Sequence, residues 1–326
     1  MSPKRAENAQ EPCILVQKRD HGGGLDNAIL THGGRRSDWI DLSTGINPQP
    51  FPVPPMTQDA WTALPDQQAR DRLIRAARQI WSVPDDAAVL ATPGASAIIA
   101  QIPRLAKART ARIPTPTYNE HAASFALHGW EVVDTGTAEA CVLVHPNNPD
   151  GRLWSCADAD APLTVIDESF CDVTPKASLI KHAAEPGTLI LKSFGKFWGL
   201  AGVRLGFVIG DPGMIARLAE MLGPWPVSGI ALEVGATALE DLHWADATRD
   251  RLARDADRLD ALMTARGGQV VGGTPLFRLY DVGDAAAWQD RLAQARIWSR
   301  IFPYSGRWLR LGLPARGDWA RIEAAL

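Results

Sequence analysis

The reading of this chain turns on Ser193-Phe194-Gly195-Lys196-Phe197-Trp198-Gly199-Leu200-Ala201-Gly202-Val203-Arg204-Leu205-Gly206. The stretch follows an apolar run, 188–191, that reads as a strand, so Lys196 falls in a glycine-punctuated loop just past a strand end. A lysine set among Phe194, Phe197 and Trp198 loses solvation, which disfavours its ammonium form and exposes the amine as a nucleophile toward an aldehyde. An isolated lysine would be a solvated surface group. What separates Lys196 from that case is the company it keeps elsewhere in the chain.

Asp167 ends a second apolar run, 163–167, where a buried carboxylate needs a cationic partner; a pyridinium nitrogen is one. Upstream, Thr92-Pro93-Gly94-Ala95-Ser96 follows the run 89–91 and opens a helix, a place where free backbone N–H groups attract phosphate. Pro116-Thr117-Tyr118 supplies an aromatic face, and Pro146-Asn147-Asn148-Pro149-Asp150-Gly151 an amide donor in a turn.

Between these points, strand-like runs (89–91, 111–113, 131–134, 141–144, 163–167, 188–191, 204–209) alternate with helical ones (66–80, 96–105, 119–128). That alternation predicts an α/β protein with a large, mostly parallel sheet, and ligands in such sheets sit at the carboxyl ends of strands. After Gly210 the pattern changes to helices at 211–222 and 228–266, strand-like 276–282, helix 285–296 and strand-like 308–313, a smaller α+β unit. Residues 1 to about 35 are polar and glycine-rich and read as an arm. The expected division is an arm at 1–38, a large domain at 39–225 and a small C-terminal domain at 226–326.

The 326-residue chain carries 34 basic and 37 acidic residues, a net charge of −3, without the positive excess that phosphate-backbone binding requires. No nucleic-acid partner is expected. With no apolar run of membrane-spanning length and no leader-like N-terminus, a soluble cytoplasmic protein is expected, with no membrane partner. The four cysteines form no C-x-x-C pair and predict neither disulfides nor a metal site. Only 7 of the basic residues are lysines, and none follows Lys196, so an amine nucleophile must come from the first 196 residues.

Taken in order, Gly94-Ala95-Ser96, Tyr118, Asn148, Asp167, Ser193-x-x-Lys196 and Arg204 resemble the fold-type I pyridoxal-phosphate enzymes, the aspartate aminotransferase superfamily. The resemblance spans about 39–313 and implies pyridoxal 5′-phosphate as cofactor and a homodimer. It implies that Lys196 joins the cofactor and shuttles protons, Asp167 keeps its ring nitrogen protonated, Asn148 donates to its ring hydroxyl and Tyr118 stacks on it. Gly94, Ala95, Ser96, Ser193 and Arg204 would hold the cofactor phosphate. Two positions depart from the common pattern: Phe170 stands where a tyrosine is frequent, and Gly195 where a hydroxyl residue is frequent.

Within that superfamily, His21-Gly22-Gly23, residues 40–48, Asp167-Glu168-Ser169-Phe170 and the short C-terminal unit resemble the L-threonine-O-3-phosphate decarboxylase branch of cobalamin biosynthesis, close to histidinol-phosphate aminotransferases. The resemblance implies Arg310 as the substrate-carboxylate clamp and Arg300 as a second anion ligand, with His21, Gly22, Gly23 and Asn47 at the substrate phosphate. An aminotransferase, or a non-catalytic binding partner of the same fold, are the competing expectations.

Overall fold

The computed structural model describes residues 19–326. Its strands are β1 (Ile40–Asp41), β2 (Ala88–Thr92), β3 (Thr110–Arg112), β4 (Glu131–Val133), β5 (Ala140–Val144), β6 (Leu163–Asp167), β7 (Thr188–Ser193), β8 (Gly206–Gly210), β9 (Gln269–Thr274), β10 (Phe277–Asp281), β11 (Ile297–Trp298), β12 (Arg300–Phe302) and β13 (Ser305–Gly312). A seven-stranded sheet has the order β2-β8-β7-β6-β5-β3-β4. It is parallel except for β8, which runs against both β2 and β7. Strands β5, β6 and β8 are buried along their whole length, which is why they read as unbroken apolar runs rather than alternating ones.

The C-terminal part forms an antiparallel sheet, β12-β13-β10-β9, as the expected α+β unit requires. It is sewn to the segment that precedes the large sheet. Ile40 and Asp41 of β1 pair in parallel with Ile297 and Trp298 of β11, and the Gly312 N–H donates to the Leu42 carbonyl at 2.7 Å.

Three elements differ from expectation. The helix expected at 228–266 is two, Gly229–Glu240 and Leu242–Ala265. Asp241 leaves helical geometry between them, and its carboxylate accepts from the Trp244 N–H at 2.9 Å, capping a fresh start. The helix expected at 96–105 stops at Ile99 and resumes as a 3₁₀ turn, Ile102–Leu105, around Pro103. The described part of the arm contains a helix, Leu25–His32, whose Leu25 and Ala28 are buried against Trp39 and Ala293. Cys141, Cys156 and Cys171 are free thiols, as expected; Cys13 lies outside the described residues.

On the face of β7 away from the cavity described below, Lys192 is buried with Glu168 at 2.6 Å and Asp172 at 3.6 Å. Trp81 Nε1 also donates to Asp172, at 2.9 Å. A buried pair of this kind is most costly when halved. Lys192→Met should therefore lower unfolding free energy by about 3–5 kcal/mol, with part recovered in Lys192→Met/Glu168→Gln, measured by urea denaturation followed by circular dichroism.

Candidate active site

Asp167 closes β6 at the carboxyl edge of the large sheet and is 2% exposed. Its Oδ1 accepts from the Ser169 N–H at 3.0 Å and the Ser169 hydroxyl at 2.5 Å, while Oδ2 lies 2.8 Å from His121 Nε2. Burial alone would raise this carboxyl; His121 and Ser169 outweigh it and hold the group below the ordinary carboxylate range. His121 was not singled out in the sequence, although it sits three residues after Tyr118, one turn along the helix Asn119–Leu127. Ser169 is the i+2 donor of an aspartate turn, a signal the sequence does carry.

Lys192 and Lys196, one strand end apart, have opposite surroundings. Burial would lower the Lys192 ammonium, but Glu168 and Asp172 raise it overall, locking it as a cation. Among the described residues no carboxylate contacts Lys196: burial, Arg310 and Arg204 bring it down to about 8, opposed only by the charge of Asp167. The Phe170 ring centre lies 5.3 Å from its Nζ, so the departure from tyrosine places an apolar face against the amine. At Gly195 an added Cβ would sit 2.9 Å from Ala201 Cα, so the loop closes too tightly for a hydroxyl residue.

A cavity of about 120 Å³ gathers Gly94, Ala95, Ser96, Tyr118, Asn148, Asp167, Ser193, Lys196 and Arg204. Ser96, Ser193 and the Arg204 guanidinium are among the lining groups, and the guanidinium lies over Gly94. An added Gly94 Cβ would meet Arg204 Nη2 at 2.7 Å, and the Gly94 φ of +84° suits glycine. Tyr118 is pushed up to about 12 by burial and by the charges of Asp167 and Glu120, so its phenol stays neutral. A cavity lined by an ionised buried carboxylate, by hydroxyls with a guanidinium and by a partly neutral amine fits pyridoxal 5′-phosphate. Asp167 would face the ring nitrogen, Lys196 the aldehyde carbon, and Ser96, Ser193 and Arg204 the phosphate.

A second cavity, about 370 Å³, shares Tyr118, Asn148, Phe170 and Lys196 with the first and adds His21, Gly22, Arg300, Tyr304 and Arg310. Arg310, 5% exposed, donates to Asn148 Oδ1 and to the Ser43 carbonyl, with its Nε buried and without a partner among the described residues. Burial and the nearby Arg300 lower it to about 10. Two expected substrate residues do not line this cavity. Gly23 N–H donates to Ser43 Oγ at 2.7 Å, and Asn47 lies under the lysine loop. There its N–H donates to the Lys196 carbonyl and its Nδ2 to the Phe197 carbonyl, both at 2.9 Å, while Oδ1 accepts from Arg251 at 2.7 Å. With every polar atom of its side chain engaged, Asn47 shapes the loop.

A family model described as aminotransferase class I and II matches residues 37–326. A threonine-phosphate decarboxylase from Sinorhizobium sp is 41% identical over 93% of this chain and 96% of its own length. One from Pseudomonas aeruginosa is 37% identical over 94% of this chain and 97% of its own. Among solved structures, histidinol-phosphate aminotransferase from Sinorhizobium meliloti, in complex with pyridoxal-5′-phosphate, matches with a TM-score of 0.81 at 20% identity, covering 98% of this chain and 97% of the other.

An amine must be neutral to bond to an aldehyde. At a value of about 8, about one Lys196 in ten is neutral at pH 7, against fewer than about one in a thousand for an ordinary lysine. Uptake of pyridoxal phosphate by the apo-protein should accelerate through about pH 8 and level off above it. Arg310→Gln removes a like charge and should move that midpoint upward, as read by stopped-flow absorbance.

Proposed function

The chain belongs to the aminotransferase class I and II family, and on that premise we propose that it is a pyridoxal-phosphate-dependent decarboxylase. It converts L-threonine O-3-phosphate to (R)-1-aminopropan-2-yl phosphate and carbon dioxide, a step of cobalamin biosynthesis. The observation that carries the reading is Lys196 standing at the junction of two cavities, the outer one provided with both Arg310 and Arg300 for a substrate bearing two anions. The relatives named threonine-phosphate decarboxylase support the choice of substrate.

Arg310 takes the substrate carboxylate through its paired N–H groups, backed by Asn148 and the Ser43 carbonyl. A clamped carboxylate would fix which bond at the α-carbon is presented for cleavage. Bound pyridoxal phosphate supplies an electron sink for the pair left at that carbon. Asp167, kept ionised by His121 and Ser169, holds a proton at the ring nitrogen. The carboxylate leaves as carbon dioxide, and Lys196 Nζ returns one proton to the α-carbon. No oxidant, reductant or second substrate enters, which distinguishes the reaction from transamination. Tyr304 and Phe302 also line the cavity. The reading extends to a homodimer in the cytoplasm; among the described residues no helix is long and apolar enough to cross a membrane.

L-Threonine O-3-phosphate should release carbon dioxide without a keto acid. A strict requirement for 2-oxoglutarate would place the enzyme with the aminotransferases, and protein that takes up no cofactor would point to a non-catalytic partner. Lys196→Ala should abolish turnover, and Arg310→Lys, which loses the planar fork, should lower kcat/KM by about 30-fold or more, measured by product chromatography and steady-state kinetics.

A further inference from the structure

Arg300 and Arg310 line the same cavity, yet their partners differ in kind. Arg310 is held by neutral acceptors and keeps an uncompensated charge. Arg300 is taken by a carboxylate of the chain itself: Nη1 donates to Asp20 Oδ1 at 2.5 Å and Nη2 to Asp20 Oδ2 at 2.7 Å. This two-pronged arrangement is the one a guanidinium offers a phosphate monoester. The Arg300 side chain is 13% exposed, whereas that of Asp20 is 44% exposed, so the carboxylate has water to move into and the guanidinium does not.

Asp20 belongs to a strap that crosses the mouth of the cavity. On one side Arg19 pairs with both oxygens of Glu120 at 2.6 and 2.8 Å, His21 Nε2 lies 2.7 Å from Glu120 Oε1, and Asn119 Nδ2 donates to the Asp20 carbonyl at 2.9 Å. On the other side Arg300 holds the Asp20 side chain and donates to the His21 carbonyl at 2.8 Å. Arg300 and His21, on this side of the cavity, thus each face an internal carboxylate.

We propose that Asp20 is an exchangeable counter-ion, an internal competitor for the phosphate of ligands at Arg300 that favours release of the product. The inference rests on the substrate reading above. The substrate carries two anions, and its hold on Arg310 raises the local concentration of its phosphate enough to displace Asp20. After carbon dioxide leaves, the product keeps the phosphate but has lost the group that Arg310 gripped. Asp20 then reclaims Arg300, and the product departs. No covalent step is involved.

Calorimetric titration of the holoenzyme with inorganic phosphate, and with O-phosphoethanolamine as a carboxylate-free phosphomonoester, tests this without turnover. Asp20→Asn should bind both about five- to tenfold more tightly than wild type. Asp20→Glu should restore wild-type affinity, and Arg300→Gln should weaken binding at least about tenfold. Arg19→Gln loosens the strap at Glu120 without touching Arg300 and should stay within about twofold of wild type. An Asp20→Asn enzyme that binds phosphate no more tightly than wild type would falsify the proposal, and so would equal tightening by Arg19→Gln. Absence of carbon dioxide release from L-threonine O-3-phosphate alongside a tightened Asp20→Asn would instead overturn the substrate reading and leave the counter-ion standing.

Discussion

Arg310 is the contact on which both halves of the site depend. It rises from β13 of the C-terminal sheet, passes the Phe277 ring at 5.1 Å, and donates to Asn148 in the turn after β5 and to Ser43 in the segment after β1. A cation this deeply enclosed persists only where acceptors satisfy it, because desolvation disfavours its charge. The protein supplies two neutral acceptors and leaves Nε without one. The guanidinium therefore ties the sheets together and still carries a net charge into the cavity. Asn148 gains by the same contact: with Oδ1 accepting from Arg310, its amide nitrogen is the atom left to donate.

That charge also tunes the amine. Lys196 is brought down by burial and by Arg310, while Lys192, four residues earlier, is kept protonated by Glu168 and Asp172. Because successive strand residues alternate faces, β7 can direct Lys192 into an acidic cluster and still deliver Ser193 to the cavity. Two buried lysines close in sequence thus serve different ends, one bracing the sheet and the other poised for chemistry.

Much of this is legible in the sequence. Strands β5 to β8 are buried on both faces, so their apolar runs stand out, and the residues at or just past their ends, Asp167, Asn148 and Ser193, fall where a parallel sheet presents its ligands. Elements at the margins were not legible. Strand β9 is exposed over its first three residues and contains Gly272-Gly273, which blurs any alternation. The break at Asp241 turns on one cap inside a long apolar periodicity. Strand β1 is two residues long and has meaning only through its pairing with β11, more than 250 positions away.

By itself the sequence determined the order of chemistry-bearing residues, the α/β class and the place of Lys196 past a strand end, because these follow from local periodicity and from which residue types stand at strand ends. Only the tertiary structure decided which polar groups meet. It joined His121 to Asp167 and Asp20 to Arg300, turned Asn47 beneath the lysine loop, and set the charge of Arg310 against that of Asp167 at Lys196. The physical reason is that a buried charge is governed by the partners brought within a few ångströms of it, and those partners come from elements far apart along the chain.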